Sequence, residues 1–209
     1  RWVTGARIAD YVYTLVRSGP KGDRYRNLSL VLVPTNSRGL TIVDIDHIGL
    51  RYAETTDVIF DDVTVPVENI VGGREAWNKG WPMLVGRGLD IERLEITATA
   101  FGIAAAAVAD AWQYSQERVQ FGRRICSHQA VRNMLVEARK KLEACRHMLY
   151  HGAWLATVGR DCSVESSMAK LFVGDTAVEI VLTCQRVMGA YGCARDYDME
   201  RYVRDIVCM

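Results

Sequence analysis

From Val131 the residues Val131, Leu135, Ala138, Leu142, Cys145, Leu149, Gly152 and Ala156 step by 4, 3, 4, 3, 4, 3 and 4. That period, sustained without a break, specifies a helix that buries one seam against other helices. It excludes a strand, whose buried face repeats every second residue. Ser127 is placed to cap the start of this helix and Gly159 to stop it. A second helix is predicted from about Ser163, with Val173, Ala177, Ile180, Cys184 and Val187 on one stripe and its end at Gly189. The stretch ATAFGIAAAAVADAW, residues 98–112, carries small side chains on every face, so neighbouring backbones can come close to it. Helices of this kind pack as an antiparallel bundle.

Ahead of Gly72 and Gly73 the pattern is different. YVYTLV (11–16), LSLVLVPT (28–35), LTIVDI (40–45) and DVIFDDVTVP (57–66) are short runs of β-branched and aromatic residues separated by Gly, Asn, Ser and Pro. The expected fold class is therefore α+β. An antiparallel β domain, part of a small barrel or sandwich, covers residues 1–72, and an antiparallel four-helix-bundle-like domain covers 73–209.

Composition narrows the function classes. With 26 Lys plus Arg against 25 Asp plus Glu, the formal net charge is +1, which argues against a nucleic-acid binder or a partner of anionic membranes. No run of eighteen or more apolar residues suggests membrane insertion. The six cysteines, at 126, 145, 162, 184, 193 and 208, form no CxxC pair and have no His at ligand spacing, so they are read as buried thiols. His147 and His151 are four apart but lack a third ligand, and no metal site is expected. Trp77, Trp81 and Trp154 are read as core or interface residues. The expected location is the cytoplasm or an equivalent reducing lumen, and the start at Arg1 rather than Met suggests a piece of a longer chain.

In so balanced a chain, ERVQFGRRICSHQ (117–129) is an isolated basic cluster, and any anion site must be local. RWVTGA (1–6), HIGLRYAETTDVIFDDVTVPVENIVG (47–72), GLDIERL (88–94), YSQERVQFGRRICSHQ (114–129), SSMAKLF (166–172), QRVMGAYG (185–192) and RYVRDI (201–206) stand in an order and at spacings that resemble the acyl-CoA dehydrogenases. The resemblance extends over essentially the whole chain. It implies the latter part of the central β domain followed by most of the C-terminal helical domain. It also implies FAD, an acyl-CoA substrate, an electron-transfer flavoprotein as partner and a homo-oligomer, a dimer of dimers, in a bacterial cytoplasm or mitochondrial matrix.

In that family a carboxylate removes the α-proton of the thioester while hydride leaves the β-carbon for flavin N5. The resemblance assigns Arg118, Gln120 and Phe121 to an arginine-x-x-phenylalanine-glycine stretch that reaches the FAD pyrophosphate and adenosine of a neighbouring subunit, with Gln129 on its flank. An arginine fork suits a diphosphate because several planar N–H donors meet phosphate oxygens in fixed geometry. QRVMGAYG resembles the family's Q-x-x-G-G-x-G, which gives Gln185 and Gly189 an adenosine diphosphate role. Ala190 replaces the second glycine, and a looser backbone approach is expected there. Trp2 and Thr4 match residues that line the isoalloxazine ring. Apart from any family, Gly189 reads as a helix C-cap and His128 as a structural or cofactor-edge residue.

Glu92 stands immediately before Arg93 in GLDIERL, where a minority of the family, including isovaleryl-CoA and long-chain acyl-CoA dehydrogenases, carries its base. Most members place the base in a stretch that would fall beyond Met209. Asp90 and Arg93, expected to bind substrate, are three apart and can pair on a helix, which leaves Glu92 on another azimuth. Two alternatives remain open. ERVQFG and MLYHGAW also resemble crotonobetainyl-CoA reductase, which runs the chemistry backwards, and a noncatalytic scaffold could keep the fold.

Overall fold

A computed structural model describes residues 1–209, apart from the side chain of Arg87. The chain forms two compact units, Arg1–Leu89 and Asp90–Met209.

In the first unit, β1 (Val3–Thr4), β2 (Tyr11–Arg17), β3 (Leu28–Pro34), β4 (Leu40–Asp44) and β5 (Thr55–Phe60) form two antiparallel sheets, β1-β5-β4 and β2-β3. Strand β5 is shorter than the expected 57–66. Its last pair is Leu40↔Phe60, at the first residue of β4, and the Asp61 N–H then donates to the Gly39 carbonyl. With no partner strand beyond Gly39, the β-branched run Val63–Val65 has nothing to pair with. At Gly39 the φ is +87°, and a Cβ would lie 2.1 Å from the Asp61 carbonyl oxygen, so only glycine fits this crossing.

Residues 74–89, which follow the expected boundary at Gly72 and Gly73, are tied to the β unit. The Asn78 N–H donates to Ser29 Oγ at 2.7 Å, and Trp81 stacks on Tyr25 with ring centroids 4.5 Å apart. Helix α1 (Gly80–Val85) begins where a Cβ on Gly80 would lie within 2.6–2.8 Å of the Ser29–Leu30 backbone. Trp81 is half-buried, but Trp77 is exposed, as is Trp154 in the second unit, so neither of those two is a core residue.

In the second unit, α2 (Arg87–Glu117), α3 (Gln129–Thr157), α4 (Ser163–Met188) and α5 (Met199–Ile206) pack around one core, with a small hairpin, β6 (Val119–Gln120) and β7 (Arg123–Arg124), between α2 and α3. The α3 seam is buried from Leu135 to Gly152, with Val131 and Ala156 half-buried at its ends. A Cβ at Gly152 would lie 2.8 Å from Leu94 Cδ2, which gives the seam its small member. On α4 the stripe Val173, Ala177, Ile180, Cys184 and Val187 is buried, and Gly189 ends the helix at φ +60°. Ala100, Ala104, Ala107 and Ala111 of α2 are almost wholly buried. Gly80–Glu117 is long and apolar enough, by length and composition, to cross a membrane. Those four alanines, with Val108, put much of that apolar character in the bundle core.

Two expectations are corrected. Ser127 does not cap α3; its Oγ donates to the Arg124 carbonyl within a short 3-10 turn, and His128 is the N-cap residue. Cys145, Cys162 and Cys184 are buried, but Cys126 is half-buried and Cys193 and Cys208 are exposed. The exposed pair follow the ends of α4 and α5, beyond the reach of the helical stripes. Burial pushes the Cys184 thiol up to about 12, so it stays protonated and inert at neutral pH.

Candidate functional site

Helix α2 ends at Glu117 because the chain turns into the hairpin. The Arg118 N–H still donates to Tyr114, while the Arg118 carbonyl accepts from the Ile125 N–H and closes the hairpin base. Val119 pairs with Arg124 and Gln120 with Arg123, which leaves Phe121 and Gly122 as a two-residue turn. Their φ values, +52° and +74°, are both positive, as the favoured hairpin turn of this length requires. Glycine takes that conformation freely. Phenylalanine pays about 1–2 kcal/mol for it, yet the ring is 94% exposed and gains little burial in return. A strained, outward aromatic side chain is a functional candidate. Phe121→Asn, which relieves the left-handed strain, is expected to raise the thermal midpoint by about 2–4 °C and to weaken retention of the expected dinucleotide. Melting curves and a titration of the flavin-free protein check both signs; an unchanged midpoint would mean that Phe121 carries no strain.

His128 braces this hairpin. Its Nδ1 lies 3.1 Å from Arg123 Nη2, its Nε2 lies 3.3 Å from the Gln120 carbonyl, and its ring meets Phe121 edge-on at 6.0 Å. Gln129 is exposed at the first residue of α3, where no side chain caps the helix and the first-turn N–H groups carry partial positive charge. Among the described residues, Arg118, Arg123 and Arg124 form no ion pair, so their charges are not neutralised by carboxylates. The nearest acid in sequence, Glu117, instead accepts a hydrogen bond from Gln113 Nε2 at 2.9 Å.

The second expected motif arrives at the same place. After α4 the chain makes a 3-10 turn, Gly189–Cys193, and the Arg118 guanidinium lies 5.3 Å from the centre of the Tyr191 ring. Residues 118 and 191, far apart in sequence, are thus joined in one site. Half-buried Gln185 donates from Nε2 to Cys193 Sγ at 3.0 Å. The tight approach falls at neither Gly189 nor Ala190. A Cβ on buried Gly192 would lie 2.6 Å from the Gln185 carbonyl oxygen, while Ala190 is exposed. The close approach is instead at Gly192, where the last glycine of the Q-x-x-G-G-x-G pattern falls, and it is made to the chain's own Gln185. Tyr191 has no such signal in the sequence, because its importance lies in a long-range contact.

At the other end of α2, Arg93 Nη1 donates to Asp90 Oδ1 at 2.8 Å, the i,i+3 pair that the spacing predicts. Glu92 is exposed and, among the described residues, forms no hydrogen bond or ion pair, so its carboxylate is available. Glu92 and Glu117 are twenty-five residues apart on α2, about 38 Å of helix.

Trp2 and Thr4 belong to the first unit. Trp2 has φ +64°, is 63% exposed, and packs under the Arg1 guanidinium, which pairs with Asp57 at 3.2 Å. Thr4 is exposed on β1, which pairs with β5 through Thr4↔Thr55. A bulky residue in the left-handed region with its ring in solvent is again a strained, outward aromatic.

The donor set fits an anionic dinucleotide. Three arginines that form no ion pair among the described residues and an uncapped helix start offer charge and N–H donors.

The family model described as acyl-CoA dehydrogenase, C-terminal domain, matches residues 78–209, and that described as acyl-CoA dehydrogenase, middle domain, matches residues 1–63. An acyl-CoA dehydrogenase of Bacillus subtilis is 36% identical over 205 residues, 98% of this chain and 53% of the relative. A subunit of the caffeyl-CoA reductase-Etf complex of Acetobacterium woodii is 34% identical over 209 residues, 98% of this chain and 53% of the relative. The solved structure of butyryl-CoA dehydrogenase from Megasphaera elsdenii superposes with a TM-score of 0.92 at 29% identity, over 99% of this chain and 53% of its own. The chain spans about half the length of the curated relatives it matches.

Proposed function

We propose, because the chain belongs to the acyl-CoA dehydrogenase family, that the protein carrying it oxidises an acyl-CoA thioester between its α and β carbons. FAD would supply the hydride acceptor. The observation that carries this reading is the meeting of the 118–121 and 185–192 motifs at Tyr191, among arginines without carboxylate partners. In this reading Arg118, Gln120, Phe121 and Gln129 hold the diphosphate and adenosine end, together with Gln185 and the Gly189–Gly192 backbone. Trp2 and Thr4 line the flavin ring.

Glu92 is the base that takes the α-proton. Its neighbour Arg93 is engaged by Asp90, so the cation does not compete for the Glu92 carboxylate; in this reading the pair binds the substrate. A closed acyl pocket would exclude water and strengthen the pull on the α-proton. In this reading Arg118, at the far end of α2 from Glu92, serves a neighbour's flavin, which makes a homo-oligomer part of the proposal. Electrons would leave to an electron-transfer flavoprotein, a partner class that the Acetobacterium relative's place in an Etf complex supports. The same relative favours a second reading, reduction of an enoyl-CoA by the same site.

The test uses the full-length, flavin-loaded protein without oxygen. Straight, branched, cyclic and aryl acyl-CoAs are added in turn while the absorbance of oxidised flavin is followed. Bleaching by one class is expected and names the substrate. If no acyl-CoA bleaches the flavin but an enoyl-CoA reoxidises the reduced form, the reductive reading replaces the first. A protein that binds no flavin overturns both.

A further inference from the structure

The Tyr191 ring joins the 185–192 motif to Arg118 of the other, and neither motif assigns it a task. We propose that Tyr191 is a positioning residue: its ring face holds the Arg118 guanidinium in place for the flavin diphosphate. The inference rests on the reading of Arg118 given above.

An arginine side chain loses about 2 kcal/mol of rotamer freedom when it is fixed, so an anion that has to order Arg118 itself binds more weakly. A carboxylate partner could fix the guanidinium beforehand, but it would occupy two of its N–H donors and cancel its charge. An aromatic face avoids both losses. It attracts the cation through the ring quadrupole and leaves the donors in the guanidinium plane free for phosphate oxygens. That is the arrangement found. The guanidinium carbon lies 5.3 Å from the Tyr191 centroid, within the range of such contacts, and Glu117 is turned to Gln113 instead.

The holder is itself held. Tyr191 meets Tyr197 edge-on at 5.8 Å and Tyr114 at 6.1 Å, and Tyr114 meets Tyr197 edge-on at 5.7 Å, which closes a triangle of rings. Tyr114 comes from the last turns of α2, just before Arg118, and the other two come from the segment after α4. The triangle therefore ties the segment after α4 to the turn that carries Arg118. Tyr191 is 41% exposed, so its replacement empties no core.

The test measures FAD affinity by titrating the flavin-free, full-length protein, with thermal melting of the same samples. Tyr191→Leu, which keeps apolar bulk but has no ring face, is expected to weaken FAD by about 3- to 30-fold. Tyr191→Phe, which keeps the face, should bind within about twofold of the parent. Arg118→Ala should weaken FAD, and adding Tyr191→Leu to it should cost nothing further, because the tyrosine acts through the arginine. The proposal is overturned if Tyr191→Leu binds FAD like the parent, if Tyr191→Phe loses as much as Tyr191→Leu, or if the two losses add. If Arg118→Ala alone leaves FAD affinity unchanged, the reading of Arg118 fails, and the Tyr191 role fails with it. That result is distinct from a failure of Tyr191 beside a sensitive Arg118. Should Tyr191→Leu not fold, stepwise-fluorinated phenylalanines at this position drain the ring face at nearly constant shape. FAD affinity should fall with each fluorine, and a flat series overturns the proposal.

Discussion

Glu92→Gln is expected to leave the protein folded and yellow while turnover falls by about 10²- to 10⁴-fold, the contribution typical of a positioned general base. The substitution changes one atom of an exposed side chain that makes no hydrogen bond or ion pair among the described residues, so its effect on stability should be within about 0.5 kcal/mol. Flavin content and melting temperature should therefore match the parent. The glutamine can accept a hydrogen bond but cannot remove the α-proton. The loss should appear in anaerobic single-turnover bleaching as well as in steady-state rates, which separates chemistry from electron transfer to the partner. Glu95→Gln is the matched control, since Glu95 is also exposed near the start of α2 and should be silent. Unchanged bleaching by Glu92→Gln would move the base to another carboxylate of the full-length protein.

Gly192→Ala should be the most damaging single-methyl change in the helical unit. The added Cβ would stand 2.6 Å from the Gln185 carbonyl oxygen, 3.2 Å from its Cα and 3.1 Å from its Cγ, and two of those atoms belong to backbone that cannot step aside cheaply. Overpacking of this kind costs about 1–3 kcal/mol, or roughly 2–12 °C in the midpoint of a chain this size. The turn that carries Tyr191 and the side chain of Gln185 would shift together, so FAD affinity should fall with stability. Ala190→Gly lies two residues away at an exposed position and should leave affinity nearly unchanged. Equal behaviour of the two variants would contradict the close approach at Gly192.

Much of the helical unit was legible because its signals are local and periodic. The seam from Leu135 to Gly152 needs only one face of one helix, and the Gly189 stop needs only a residue that tolerates φ +60°. The strands at Tyr11–Arg17, Leu28–Pro34 and Leu40–Asp44 were legible for the same reason. The end of β5 was not, since β-branched residues continue to Val65 and only the loss of the partner strand at Gly39 stops the pairing. The site divides in the same way. Arg118, Phe121 and Gln185 could be named from motif spacing, and the Asp90–Arg93 pair from helical geometry. Tyr191 could not, because what matters about it is a ring contact across the fold. Nor does any propensity place Trp2 and Phe121 in the left-handed region with their rings in solvent.

Helix α2 puts Glu92 and the arginine that follows Glu117 at opposite ends of one rigid rod. If each flavin is clasped by the far end of another copy's rod, flavin occupancy and assembly are a single equilibrium. Dilution would then shed colour as it shed subunits, and added FAD would draw subunits back together by mass action. How yellow such a protein looks would depend on how concentrated it is.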